Sequence, residues 1–267
     1  MRYYSNDWVY TAGAISGKGA NTKTRVTGNE GLAKGITFLL PLLIFGLLYL
    51  FLGKKDDPKQ ATALVISGSS SGTGCVFTAD GYILTNRHVI SDTSKIRVLI
   101  GSGTQKQQSF QARLVQKGEA SGATATTLSE FLKQLPNDFA ILKVEAKDLS
   151  YFRLADDSQR PRSGLKVSAI GYGATMIQGS DAKGPSQETP TGVLSGFLPN
   201  EGEQRLYIHT CTIQKGFSGG PLIDEQGRLL GINTASVPDD IGNNKQVAIP
   251  ISTFKATLNS FIKGSGH

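Results

Sequence analysis

The sequence predicts an all-β fold, a sandwich or a pair of barrels, with a single apolar segment ahead of it and a helix at its end. Three observations carry this. Twelve short runs rich in Val, Ile, Leu and aromatic residues follow one another from residue 63 onward, separated by Gly, Asp, Asn or Ser. Glycine is abundant, 32 residues of 267, with no three-residue period, which suits many tight turns and excludes a collagen-like chain. Helical periodicity is scarce.

Residues 1–35 are polar, rich in Gly, Thr, Asn and Lys, and lack a sustained period, so a mobile tail is expected. Within it GAISGKGA looks superficially like a phosphate loop, but it has three rather than four residues between Gly13 and Gly17-Lys18, and Gly19 replaces the required Ser/Thr. Residues 36–53, ITFLLPLLIFGLLYLFLG, are eighteen residues without a charge, bounded by Lys34 and by Lys54 and Lys55. That length meets the lower limit for crossing a bilayer, and Pro41 and Gly46 are tolerated in a membrane helix. A buried core helix and a cleaved signal peptide are the alternatives. The Ala61-Thr62-Ala63 triplet lies far beyond the apolar run, and the preceding tail is long for a signal, so an uncleaved single-pass anchor is expected. Lys18, Lys23, Arg25 and Lys34 on one side outnumber Lys54, Lys55 and Lys59 on the other, which favours a cytoplasmic N-terminus and an extracytoplasmic domain. Residues 54–62 read as a charged linker, and 63–267 as the folded domain.

The predicted strands are 63–67, 74–78, 82–86, 95–101, 110–116, 139–145, 166–172, 191–197, 205–210, 221–225, 229–235 and 245–251. GSSSGTG at 68–74 reads as a plain turn. A short helix is expected over Thr127–Leu135. A better one runs from Ser252 to Lys263, with Ser252 as N-cap and Phe254, Leu258, Phe261 and Ile262 on one face. The 213 residues of 55–267 suffice for two small barrels sharing one cleft.

Composition bounds the chemistry. Two cysteines and three histidines, widely scattered, do not make a zinc module, and no metal or cofactor is expected. The net charge of +7 comes from dispersed basic residues with no long run, so nucleic acid is not an expected partner.

One serine stands out. Gly216-Phe217-Ser218-Gly219-Gly220-Pro221-Leu222 sets a hydroxyl among glycines just before an apolar strand. Glycines permit backbone angles that let a carbonyl approach closely while successive N–H groups point at one spot, as a tetrahedral oxyanion requires. A hydroxyl needs a neighbouring base. Of the three histidines, His267 is terminal, His209 lies nine residues before Ser218, and His88 follows the predicted strand YILTN. Asp138, opening DFAILKV, would accept Nδ1–H from His88 and hold the tautomer in which Nε2 is the base. The order is His88, Asp138, Ser218. Gly216–Gly220 also fits the G-x-S-x-G elbow, but α/β-hydrolases need Ser first and His last, on an alternating strand–helix chain that is missing here.

With these residues assembled, the sequence resembles the trypsin-like serine proteases, and among them the HtrA (Deg) group. SGTGCVFTADGYILTNRHVI, NDFAILKVE, ADDSQRPRSGLKVSAIGYG, GVLSG, GFSGGPLIDEQGRLLGINTA and QVAIPIS each resemble a segment of that family, and together they cover roughly 70–265. The resemblance implies two six-stranded antiparallel barrels with a Ser-His-Asp triad in the cleft: Ser218 as nucleophile, His88 as base and then acid, Asp138 as its orienting carboxylate. It implies an oxyanion hole from the backbone N–H groups of Gly216 and Ser218, substrate pairing along Thr234, Ala235 and Ser236, and Thr212 and Lys245 near the pocket for the residue preceding the cleaved bond. It further implies protein or peptide substrates and an oligomer as a possible assembly.

Departures are visible too. Phe217 stands where the family commonly has Asn, and its ring is expected to restrict the cleft, or to leave the domain a catalytically silent binding module. About eighteen residues, 120–137, read as an insertion before Asp138, and no PDZ domain is expected within these 267 residues. Cys75 and Cys211 are expected to be buried free thiols rather than a disulfide.

Overall fold

The computed structural model describes residues 57–119, 124–156, 161–173, 185–199, 205–238 and 244–264. The expected tail, the candidate membrane segment 36–53 and the terminal His267 lie outside the described residues. Among the described residues, no helix is long and apolar enough to cross a membrane.

The described residues form twelve strands: β1 Thr62–Ser67, β2 Ser70–Val76, β3 Tyr82–Thr85, β4 Ile96–Ile100, β5 Gln108–Lys117, β6 Ala140–Val144, β7 Lys166–Ala169, β8 Thr191–Pro199, β9 Arg205–His209, β10 Pro221–Asp224, β11 Leu229–Pro238 and β12 Asn244–Pro250. They close into two antiparallel barrels, in the order β1-β2-β3-β6-β5-β4 and β10-β11-β12-β9-β8-β7. Closure leaves no free edge, which stabilises strands this short. Two boundaries differ from the sequence reading. The barrel starts at Thr62, where Ala61 and Thr62 are already buried, so the expected linker shortens. The Ser/Gly text at 70–73 is strand, not turn: Ser67 and Ser70 face each other, and only Gly68-Ser69 make the bend, with Gly68 at φ +56°.

Two helices matter to the site. Helix α1, Leu128–Gln134, sits in the insertion and starts with a capping box: Glu130 N–H donates to Thr127 Oγ1 at 3.2 Å, and Thr127 N–H donates to Glu130 Oε2 at 3.2 Å. A 3₁₀ turn over Leu135–Asn137 then delivers the chain to Asp138. The C-terminal helix α2 spans Lys255–Gly264. Ser252 is not its N-cap; it lies in a 3₁₀ turn over Ile251–Thr253 that precedes the helix. Phe254 and Leu258 of this closing segment enter a core that joins Cys75, Leu84 and Ile141 of the first barrel to Ile232, Val247 and Ile249 of the second. Its rings pack at a tilt against first-barrel residues, Phe254 against Phe139 at 5.0 Å and Phe261 against Tyr82 at 4.9 Å between centroids. The chain therefore leaves the second barrel and straps back onto the first.

Candidate active site

Asp138 and His88 meet although fifty residues separate them. The 3₁₀ turn presents the Asp138 carboxylate, which is buried, to three donors: His88 N–H at 3.0 Å on Oδ1, and His88 Nδ1 at 2.7 Å and Thr234 Oγ1–H at 2.9 Å on Oδ2. Asn86 Nδ2 adds a bond to the Asp138 carbonyl at 2.8 Å, tying the two segments together from the other side. A carboxylate on Nδ1 leaves Nε2 as the free, proton-accepting nitrogen. The His88 side chain is 47% exposed, so the ring is open to solvent.

The serine loop is two consecutive β-turns sharing Phe217. Phe217 N–H donates to Gln214 C=O at 3.1 Å, and Gly220 N–H to Phe217 C=O at 2.8 Å. The third position of each turn is a glycine at positive φ, Gly216 at +99° and Gly219 at +80°, as type II turns demand. Gly219 N–H goes to Asn233 C=O at 2.8 Å; among the described residues no acceptor takes the N–H of Gly216 or Ser218.

First-barrel residues grip this loop. Thr73 N–H donates to Ser218 C=O at 2.8 Å and Thr73 Oγ1–H to Gly216 C=O at 2.7 Å. Close approach explains the flanking glycines. A Cβ on Gly72 would meet Val89 Cγ2 at 2.6 Å and Ser218 O at 2.9 Å. A Cβ on Gly219 would meet Thr73 O at 2.3 Å and Asn86 N at 2.8 Å. Ser218 thus lies against the segment Asn86–Val89 that carries His88.

Thr234, Ala235 and Ser236 lie on β11 beside this loop, and Thr234 does something the sequence reading did not anticipate. Asn233 pairs with Ala248 and Ala235 with Val247, so Thr234 is the extra residue of a β-bulge. Bulges re-aim side chains, and this one turns the Thr234 hydroxyl out of its own barrel onto Asp138. Thr234→Val keeps the shape and removes one donor to a carboxylate, a bond worth about 1.5–3 kcal/mol. With the triad that the resemblance implies, the expected result is a fall of roughly 10- to 100-fold in kcat/KM for peptide hydrolysis. A change under twofold would make the bond structural only.

Phe217 corrects an expectation. Its ring is fully buried among Val167, Ala169, Leu194, Leu222 and Ala248 and lies over Gly171, where a Cβ would meet ring carbons at 2.5 Å. It does not reach the cleft; it anchors the loop inside the second barrel. Lys245 is exposed and sits on β12 next to Gln246, so it points away from the face that Gln246 shares with the barrel interior. Cys75 and Cys211 are free and buried, and burial pushes both thiols up. Cys75 Sγ donates to Gly219 C=O at 3.3 Å.

His209 takes no part in the His88–Asp138 pair. It is buried inside the second barrel, and burial drives its imidazole from an ordinary 6.5 down to about 4, opposed by the neighbouring Asn233 carboxamide, which lies outside hydrogen-bond geometry. Between those two pH values the unfolded chain holds a proton that the folded one refuses, so stability falls as pH drops from about 6.5 towards 4, by about 3 kcal/mol in full. Urea midpoints at pH 7 and pH 4.5 should therefore differ more in the wild type than in His209→Leu. Equal differences would contradict the burial.

With the geometry in place, the likeness to known proteins is specific. The family model described as a trypsin-like peptidase domain matches residues 72–232. A periplasmic serine endoprotease, DegP-like, of Bartonella henselae is 33% identical over 199 residues, which cover 72% of this chain and 33% of that protein. The serine protease Do-like HtrA of Lactobacillus helveticus is 27% identical over 225 residues, covering 79% of this chain and 48% of its own length. The crystal structure of the serine endoprotease from Yersinia pestis aligns with a TM-score of 0.56 at 26% identity, over 77% of this chain and 64% of that one. The HtrA-type protease AlgW with tripeptide gives 0.57 at 26%, over 77% and 61%. The chain spans about a third of the length of the DegP-like relatives it matches.

Proposed function

The chain belongs to the trypsin-like peptidases and within them to the HtrA/Deg type, and from that premise we propose that it is a serine endopeptidase working through an acyl-enzyme. The observation that carries this is the His88 Nδ1–Asp138 Oδ2 contact at 2.7 Å, with the Ser218 loop fastened beside it.

In this reading Ser218 Oγ attacks the scissile carbonyl while His88 Nε2 takes its proton. Asp138 holds the tautomer and stabilises the imidazolium that forms. The N–H groups of Gly216 and Ser218 receive the oxyanion. His88 then returns the proton to the leaving amine, and water reverses the sequence to free Ser218. Thr234–Ser236 pairs with the substrate backbone, a mode that tolerates many sequences. Protein and peptide chains are the substrates.

Residues 63–267 are the peptidase domain, with its first strand opening one residue earlier at Thr62, and residues 36–53 are its single-pass anchor. This rests on their eighteen uncharged residues between lysines. The domain then lies outside the cytoplasm, in keeping with the periplasmic naming of its relatives. The alternative of a silent binding module rested on Phe217, whose ring is spent in the barrel core.

A fluorophosphonate probe tests the reading. Labelling of the wild type that disappears in Ser218→Ala is the expected result; a folded wild type that takes no label overturns it.

A further inference from the structure

Behind Ser236 a row of polar side chains runs into the second barrel. Ser236 is directly opposite Gln246 on β12, and Gln246 is directly opposite His209 on β9. Residues opposite one another on neighbouring strands share a face, so the three form one line. Asn233 shares that face through its partner Ala248, two positions from Gln246. The face is the interior of the barrel: Ala248 and Leu194, the other neighbour of His209, belong to the core that holds Phe217. The row starts exposed at Ser236, is half-buried at Gln246, and ends at His209, which is 2% exposed. At its mouth Ser236 Oγ–H donates to Gln246 Oε1.

Buried polar atoms ordinarily have partners. Here Nδ1 and Nε2 of His209 and Oδ1 of Asn233 have none among the described residues. The orientation of Asn233 is fixed, because its Nδ2 donates to the carbonyls of Gly220 at 3.0 Å and Pro221 at 3.2 Å. Oδ1 must therefore face the other way. The unpaired cluster also adjoins the candidate site on two sides. Gly220 and Pro221 continue the Ser218 loop, and Thr234, the next residue after Asn233, bonds to Asp138.

We propose that His209 and Asn233 form the inner end, and Gln246 and Ser236 one wall, of the pocket for the substrate side chain immediately before the cleaved bond, and that this pocket selects a primary carboxamide, glutamine above all. The assignment rests on the peptidase reading and names its specificity. A neutral imidazole offers one donor and one acceptor, and Asn233 Oδ1 offers a second acceptor. A carboxamide supplies the mirror image, one acceptor and two donors. Glutamine has the reach to pass Gln246. A carboxylate carries only acceptors and would confront Asn233 Oδ1 after losing its water. An aliphatic side chain would leave all three atoms unpaired. Discrimination is strong where a site is built to hydrogen-bond its ligand, since the wrong ligand strands the site's own polar groups. Burial keeps His209 uncharged at neutral pH, as this donor–acceptor count requires.

The test uses the purified full chain and internally quenched peptides that differ only at the position before the cleaved bond: Gln, Glu, Leu or Ala. The wild type should cleave the Gln peptide with a kcat/KM at least tenfold above Leu and Glu. His209→Leu should lower the Gln-to-Leu ratio at least tenfold, and Gln246→Val, nearer the surface, severalfold. A ratio measured within one preparation does not depend on how much of a variant is folded. A wild type that cleaves Leu as well as Gln, or a ratio unmoved by both substitutions, overturns the inference while leaving the peptidase reading intact. No labelling by fluorophosphonate together with no cleavage of any peptide overturns both.

Discussion

Asp138→Asn is expected to cut peptide-bond hydrolysis about 10⁴-fold while leaving the fold intact. The carboxylate accepts three bonds, from His88 N–H, His88 Nδ1 and the Thr234 hydroxyl. An amide of the same shape can accept some of them, so the backbone turn persists. It cannot do so without turning its NH₂ towards one donor. If that donor is the imidazole, Nδ1 must become the acceptor and Nε2 then carries the proton, the wrong tautomer for a base. Single-turnover hydrolysis of an acyl ester, with thermal unfolding as a control, measures both halves. A loss below tenfold in a folded variant would mean that Asp138 only shapes the turn.

Phe217→Ala should destabilise the domain by about 3–5 kcal/mol, the usual range for emptying a buried aromatic site. In a domain of this size that lowers Tm by roughly 10 °C. The ring sits among Val167, Ala169, Leu194 and Leu222, against Gly171, a backbone that cannot collapse inward far enough to fill the void. The same residue is the hinge between the two turns of the serine loop, donating through its N–H and accepting through its C=O. Activity per folded molecule should therefore fall as well. Differential scanning calorimetry paired with active-site titration separates the two effects; an unchanged Tm would place the ring outside the core.

The strands were legible because each is a short apolar run between turn residues, and barrel closure asks little more of them. What escaped notice depends on contacts made far away in the chain. Ser70–Thr73 has the composition of a turn, yet it is strand because β1 pairs with it, and Thr73 matters through its bonds to Gly216 and Ser218, more than 140 positions later. Thr234 was read as lining the substrate strand; the bulge that aims its hydroxyl at Asp138 appears only once β12 sets the register. Phe217 was misjudged because a sequence does not say on which side of a loop a ring will fall. The pairing of His88 with Asp138 was readable because only three histidines could serve as base, and Asp138 opens an apolar strand in a segment that resembles the family's.

The bond from Thr234 to Asp138 and the grip of Thr73 on the serine loop both cross from one barrel to the other. During synthesis the half bearing the imidazole and its carboxylate leaves the ribosome first, without a nucleophile. The half bearing the serine arrives later, with its loop anchored by Phe217 in its own barrel but without the bonds from Thr73 until the earlier half meets it. In the proposed reading the three residues therefore come together only once the last strands have docked.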